Sequence, residues 1–370
     1  MKTYHFLPVF LVLLASYIGI HLYAARWLVR SFSLAGPAAQ WLKAAFLAAA
    51  LLAPFAMFLR RQLGDHLLEP LYTAIYVWMG VILIAAFVFF CSDLLALLLR
   101  RAGWFRPLPF AAGTLAVLSA IIAWSLYSAL RVPPLRQVSV AFKGLPPELE
   151  GLKIAQISDM HLDAEWKVRK LAAIIDEINA AKPDLVVFTG DLVDPGVTCG
   201  ERLKDIAGRI KSRLGVYGAL GNHEYYYGLG RAGDCYAHIG IKLLKDSAAD
   251  AGPLRVIGLG DIHTAHMTRA DVEAVLRRYK DGKFTVLLSH QPVFYRAIAS
   301  AGDYLVLSGH THRGQIFPFH IFTWLFYRHF YGLYRIGGSA FYVTSGAGTW
   351  GPPLRWLAPS EIPLITLKAG

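Results

Sequence analysis

The chain has 370 residues, 55% of them hydrophobic, with a formal net charge of +12 and a mean hydropathy of +0.43. That is too apolar for an ordinary water-soluble protein of this length, which excludes a wholly soluble chain. The first 150 residues hold 12 Lys and Arg against 5 Asp and Glu, leaving 25 against 20 for the rest, too even for a nucleic-acid-binding patch. Cys91, Cys199 and Cys235 lack C-x-x-C spacing, so neither a disulfide framework nor a sulfur-rich metal site is expected.

Four apolar runs, 6–25, 38–59, 71–95 and 110–130, reach the roughly 20 residues that cross a bilayer. The first reads as a retained span and not as a signal peptide, because its leader carries only Lys2, no A-x-A site follows and three more runs come after. Trp27, Trp41, Tyr72, Trp104 and Tyr127 stand near span ends, where amphipathic rings favour the headgroup region. Lys43 and Asp93 lie within a turn or two of an end and are expected to snorkel to the interface, which gives transport little weight. Four spans place both ends of the chain on one side of a cell (inner) membrane. Lys2, Arg60, Arg61, Arg131, Arg136 and Lys143 face one way and Arg26, Arg30, Arg100, Arg101 and Arg106 the other, a bias too small to orient the chain. The cytoplasmic side is the preferred expectation for the second half.

Arg131-Val132-Pro133-Pro134 ends the last span, since proline lacks an amide hydrogen and restricts its predecessor. The expected organisation is a four-helix transmembrane region over 1–132, a linker and first strand over 133–150, and a soluble domain over 151–370. In the last of these, apolar strands alternate with helices. The stretch 152–157 leads to Asp159-x-His161, a helix follows over 168–181, and a strand over 184–189 leads to Gly190-Asp191. A helix over 201–214 precedes a strand over 216–220 that ends in Gly221-Asn222-His223-Glu224. Strands over 284–288 and 304–307 end in Ser289-His290 and Gly309-His310-x-His312. This alternation predicts a buried sheet flanked by helices, and every ligand-type residue falls at the carboxyl edge of a strand, where such sheets gather ligands. Side chains at i and i+2 of an extended chain share a face, so Asp159 and His161 are expected to turn together toward one metal ion.

Taken in order, Asp159-x-His161, Gly190-Asp191-x-x-Asp194, Gly221-Asn222-His223-Glu224, His290 and Gly309-His310-x-His312 resemble the full signature of the calcineurin-like metallophosphoesterase superfamily. The resemblance covers about 138–367, and the membrane-attached arrangement is similar to the subgroup called transmembrane proteins with a metallophosphoesterase domain. It implies an α/β metallophosphoesterase domain, a layered β-sandwich flanked by helices, behind the α-helical membrane domain. It also implies two divalent metal ions, manganese, iron, zinc or nickel. Asp159, His161, Asp191 and His312 would hold one, and Asp191, Asn222, His290 and His310 the other, with Asp191 bridging. His223 would be the general acid and Asp194 would orient a ligand. Glu224 departs from the aspartate of many members, which matters little for a carboxylate that orients a neighbour.

The expected activity is hydrolysis of a phosphomonoester, phosphodiester or pyrophosphate bond. The substrate is expected to be a lipid or lipid-linked molecule, such as a nucleotide-sugar lipid, because the site is joined to four spans. The bilayer is the expected partner, and no nucleic acid is. One alternative is a non-catalytic metal- and phosphate-binding signalling protein, which has no need of an intact His223. The other is a nuclease of the same superfamily, which predicts tight, salt-dependent DNA binding.

Other features stay open between a site role and ordinary packing. Asp261-x-His263 reads as a loop near the site and not a third metal. Arg313 suits either a phosphate clamp or the surface, and Tyr225, Tyr226 and Tyr227 either the substrate mouth or packing. The aromatic stretch 317–334 is too short and too rich in His, Arg and Gly for a fifth span. It is either core or a flap that dips Phe319, Phe322, Trp324 and Phe326 into the membrane interface while Arg328 and His329 meet headgroups.

Overall fold

The computed structural model describes residues 6–63 and 69–370; Lys2 and the side chains of Arg60 and Arg61, used above to weigh orientation, lie outside what is described. Four helices come first, α1 (Phe6–Ser31), α2 (Gly36–Leu63), α3 (Glu69–Arg101) and α4 (Pro107–Leu130). All four are long and apolar enough to cross a membrane, and a helix satisfies its own backbone in lipid, where water cannot. Several polar side chains of α1 and α3 meet across the two helices. Trp27 of α1 stacks on Phe89 and donates to Ser92 Oγ of α3 at 3.0 Å, and Trp78 donates to His21 at 3.0 Å. Asp93 accepts from Tyr23 Oη at 2.9 Å and pairs with Arg30. The charge of Asp93 is thus met by a partner on the neighbouring helix.

By compactness the chain divides into Met1–Tyr127 with Gly351–Leu354, and Ser128–Trp350 with Arg355–Gly370. The second unit contains β1 (Leu135–Phe142), β2 (Lys153–Ile157), α5 (Glu165–Ala181), β3 (Leu185–Thr189), α6 (Glu201–Ala207), β4 (Val216–Ala219), α7 (Asn222–Tyr227), α8 (Leu229–His238) and β5 (Lys242–Leu244). It continues through β6 (Ser247–Ala251), β7 (Leu254–Gly258), α9 (Arg269–Arg278), β8 (Phe284–Leu288), α10 (Tyr295–Ala301), β9 (Tyr304–Ser308), α11 (Phe319–Phe326), β10 (Gly332–Ile336), β11 (Ser339–Val343) and β12 (Ile362–Ala369). Two six-stranded sheets result, ordered β1-β12-β2-β3-β4-β5 and β10-β11-β9-β8-β7-β6.

The layering follows from side-chain alternation. Ile154, Val187, Ala219 and Ile365 of the first sheet share one core with Val256, Val286, Leu305 and Tyr342 of the second. Their neighbours Ala155, Ile157, Val186 and Phe188 turn the other way, against Leu171, Ile174 and Ile178 of α5 and Tyr236 of α8. Ile257, Leu287, Val306 and Phe341 likewise turn outward against Val272 and Leu276 of α9 and Ile298 of α10. Both faces of the central strands are covered, and for that reason they read as unbroken apolar runs. This is the helix-flanked β-sandwich that the resemblance implies.

The first strand expected over 133–150 is β1, paired to β12 in parallel from Leu135↔Ile362 to Phe142↔Ala369. Two local expectations differ. The helix expected over 201–214 stops at Ala207, where Gly208 forms the C-cap and its N–H turns back to the Lys204 carbonyl. Cys199 and Cys235, far apart in sequence, are joined by a disulfide with Cα atoms 5.5 Å apart, because α8 folds back over the loop before α6.

Candidate metal centre

β2, β3 and β4 run parallel in one sheet, β8 and β9 in the other. Their carboxyl ends meet at a common edge, where Gln156 Nε2 donates to Ser308 O at 3.0 Å and His290 Nδ1 donates to Thr189 O at 2.8 Å. Each of these strands is followed within a few residues by predicted site residues, all buried or partly buried.

The backbone there is not extended. β2 stops at Ile157, and Asp159 and His161 have φ of 56° and 49°; Asp191, His310 and His312 share this left-handed conformation at 53°, 70° and 47°. The extended-strand reason given for pairing Asp159 with His161 is thus corrected: they converge through two left-handed turns. Asp, Asn and His tolerate that region best among residues with a Cβ, and strain of this kind persists where surrounding structure over-determines it. The motif glycines have a steric cause. A Cβ on Gly221 would run into Asp191 Oδ1, and one on Gly309 into Asp159 Oδ2.

Three groups of ligand-type atoms form among the described residues. His161, Asp194 and His223 make one, Asp159, His161 and His312 a second and Asp191, His290 and His310 a third, with Asn222 Oδ1 3.0 Å from His310 Nδ1. Asp191 Oδ2 stands between the last two, 3.1 Å from His290 Nε2 and 3.7 Å from His161 Nε2. The residues fit metal on three counts. Asp159 Oδ2 is buried with no hydrogen-bond partner. Nδ1–H of His161 goes to Asp194 (3.1 Å) and that of His290 to Thr189 O, which turns each Nε2 inward. His161 Nε2 and His312 Nε2 face each other at 2.9 Å. Imidazole with carboxylate oxygen suits zinc, iron or manganese.

The electrostatics point the same way. Burial opposes charge on Asp191 and Asp194, but neighbouring histidines outweigh it and hold both carboxyls well below the usual range. Burial likewise disfavours charge on His161 and His290, and the adjacent carboxylates reverse it, raising both. His310, desolvated and beside His290, is pushed down to about 3, and His312 falls well below its ordinary value through burial and His161. Protons on two imidazoles thus balance buried carboxylates, a balance that a divalent cation can supply instead.

His223 is outside the two groups that Asp191 joins and belongs to the one with His161 and Asp194. Its Nδ1 hydrogen-bonds Asp194 Oδ1, while the other oxygen of that carboxylate holds His161. Tyr226, 63% exposed, and Trp350, 60% exposed, lie edge-on to the His223 ring at 5.2 and 6.2 Å. Tyr227 is buried in the core, so the tyrosine stripe divides between mouth and packing. Glu224 is a clamp: its carboxylate accepts from the N–H groups of Gly221 (2.7 Å), Asp191 (2.9 Å), Leu192 (2.8 Å) and Val193 (3.3 Å), tying the β3 and β4 loops together. Burial and Asp191 push it up to about 7. Arg313 stacks over Tyr331 at 4.3 Å, and Asp261 accepts from Gln291, the neighbour of His290, at 3.0 Å.

Three contributors carry no motif. Tyr327 Oη lies 2.8 Å from His310 Nε2. Arg355, fully buried, sits 3.2 Å from His312 Nδ1 and is fixed by the carbonyls of Gly348 and Ala358. Buried Lys167 donates to His161 O at 2.9 Å and Thr349 O at 3.0 Å. A tyrosine, an arginine and a lysine offer no signal until folding places them.

The chain matches the calcineurin-like phosphoesterase family over residues 152–314. It is 38% identical to an uncharacterised metallophosphoesterase of Campylobacter jejuni over 265 residues, 69% of each chain. It is 34% identical to one of Helicobacter pylori over 65% of each chain. A transmembrane protein with metallophosphoesterase domain from Danio rerio is 35% identical over 78% of this chain and 71% of its own.

Proposed function

Since this chain belongs to the calcineurin-like metallophosphoesterase family, we propose that it is a membrane-anchored, dinuclear-metal phosphoesterase. The bond cleaved is a phosphomonoester, phosphodiester or pyrophosphate, and the substrate a lipid or lipid-linked phosphate such as a nucleotide-sugar lipid. The observation that carries the reading is the place of Asp191 between the two ligand groups, with a separate Asp194–His223 pair beside them. Asp159, His161, Asp191 and His312 would hold one cation, and Asp191, Asn222, His290 and His310 the other. When bound, the pair neutralises phosphate oxygens and lowers the pKa of the attacking water.

The chain's own residues do the rest. Asp194 fixes His223 by Nδ1, leaving Nε2 to give a proton to the departing oxygen. Through its second oxygen Asp194 also orients His161, so one carboxylate aligns a metal ligand and the acid. Tyr226 and Trp350 flank His223 and receive the leaving group on exposed aromatic faces, which supports an apolar or ring-bearing group there over a small polar alcohol. A non-catalytic binding module has no use for the Asp194–His223 pair.

We infer a cell (inner) membrane location, a reading to which the four candidate spans lend a membrane but not its identity. Disulfides persist where thiols are not kept reduced, so the Cys199–Cys235 link favours the oxidising face for the catalytic unit, in place of the cytoplasmic side.

The test is a screen of the purified, manganese-loaded protein against lipid phosphates, nucleotide-linked lipids and a soluble aryl phosphodiester, with Asp191→Ala alongside. Loss of the bridging ligand removes several kcal/mol of transition-state stabilisation, an expected fall of about 10³-fold. Equal rates in the folded variant would refute the assignment.

A further inference from the structure

α11 is an apolar helix with nothing over it. None of its eight residues is buried, and Phe319, Ile321, Phe322, Trp324, Leu325 and Phe326 are all exposed, Phe326 at 84%. This rules out packing as the role of these rings. The feet of the segment are nonetheless firm. Gln315 exchanges hydrogen bonds with the Trp350 backbone at 2.9 Å in each direction, His320 donates to Leu357 O at 3.1 Å, and Thr311 Oγ1 donates to Phe330 O at 2.7 Å. Tyr327, the residue after the helix, reaches His310. An anchored base thus presents a greasy tip.

Three observations name what covers it. The chain carries four candidate spans, and only residues 131–134 separate α4 from β1, so the domain is held at a bilayer by a tether too short to let it drift away. From Tyr304 to Ser360 the sequence has four arginines and no aspartate or glutamate; Arg355 is buried at the site, while Arg313 is partly exposed and Arg328 and Arg335 are exposed, a charge that complements anionic headgroups. Trp and Phe on a short helix without a charged residue suit the headgroup–acyl boundary.

We propose that α11 is an in-plane interfacial helix that beds Phe322, Trp324, Leu325 and Phe326 in the bilayer surface, and that Tyr327 links this contact to His310. Membrane docking and the order of the metal site then become one event. The proposal rests on the spans and not on the identity of the substrate.

The experiment uses the full chain in nanodiscs of phosphatidylethanolamine and phosphatidylglycerol, in a Cys91→Ser background. Phe326→Cys or, as a control, the exposed Lys211→Cys carries an environment-sensitive fluorophore. The label at 326 is expected to be blue-shifted and quenched by doxyl lipids about threefold more than the label at 211. Equal, water-like emission at both positions would overturn the proposal, and so would a shielded label at 326 that lipid does not quench and that crosslinks to a second copy. Tyr327→Phe should leave the quenching intact and weaken manganese binding about tenfold; unchanged manganese affinity would refute the link to His310. No readout here depends on turnover, so failure of the substrate reading leaves the test standing.

Discussion

The polar pairs between two of the membrane helices and the polar groups of the metal site are arranged in opposite ways. In α1 and α3, Trp27 is matched to Ser92, Trp78 to His21, and Asp93 to Arg30 and Tyr23, each pair closing one helix on another. At the edge of the two sheets, Asp159 keeps an oxygen without a partner, and His161 and His290 turn Nε2 inward. Polar groups that satisfy each other hold a structure together; polar groups left with open valence are held by it. The left-handed backbone at Asp159, His161, Asp191, His310 and His312 belongs only to the second kind.

That contrast can be broken first at His223. His223→Ala is expected to cut hydrolysis of an alkyl phosphoester by roughly 10²- to 10³-fold and to cost far less with an aryl ester whose oxygen departs without a proton. A Brønsted plot of rate against leaving-group pKa checks this, and equal losses on both esters would remove His223 as the acid.

The next effect is on stability. His161 and His290 have raised folded values, so in the metal-free protein their contribution is complete below the ordinary histidine range and lost as pH rises through the raised values. Metal-bound histidines are already neutral. Melting temperatures of chelated protein should therefore fall with rising pH across that window while those of manganese-loaded protein hold steady; parallel curves would show that the pocket does not bind metal through these imidazoles.

The smallest effect belongs to the membrane half. Ser92→Ala removes the acceptor of Trp27 and should cost about 0.6 kcal/mol, the usual worth of an interhelical hydrogen bond in lipid, with hydrolysis of a soluble ester unchanged. A fall in activity would mean that the halves are not separable in this way.

Much of the site was legible because its chemistry restricts residue types. A dinuclear oxygen–nitrogen centre needs Asp, His and Asn, close loop approach needs Gly, and so Gly190-Asp191, Gly221-Asn222-His223 and Gly309-His310-x-His312 stand out in the sequence. Spans were legible too, since crossing a bilayer demands length and apolarity together. Tyr327, Arg355 and Lys167 were not, because any of them could have faced water. The pairing of Cys199 with Cys235 was hidden by the 36 residues between them.

By itself, then, the sequence determined four spans, the alternation of strand and helix, and the identity of the ligand-type residues, all of which depend on local pattern and residue chemistry. Only the tertiary structure decided that β2–β4 and β8–β9 belong to different sheets meeting at one edge, that Asp191 lies between two groups, and that α11 stays uncovered. Those are relations between segments far apart in the chain, and they are set by how the two sheets and their helices pack.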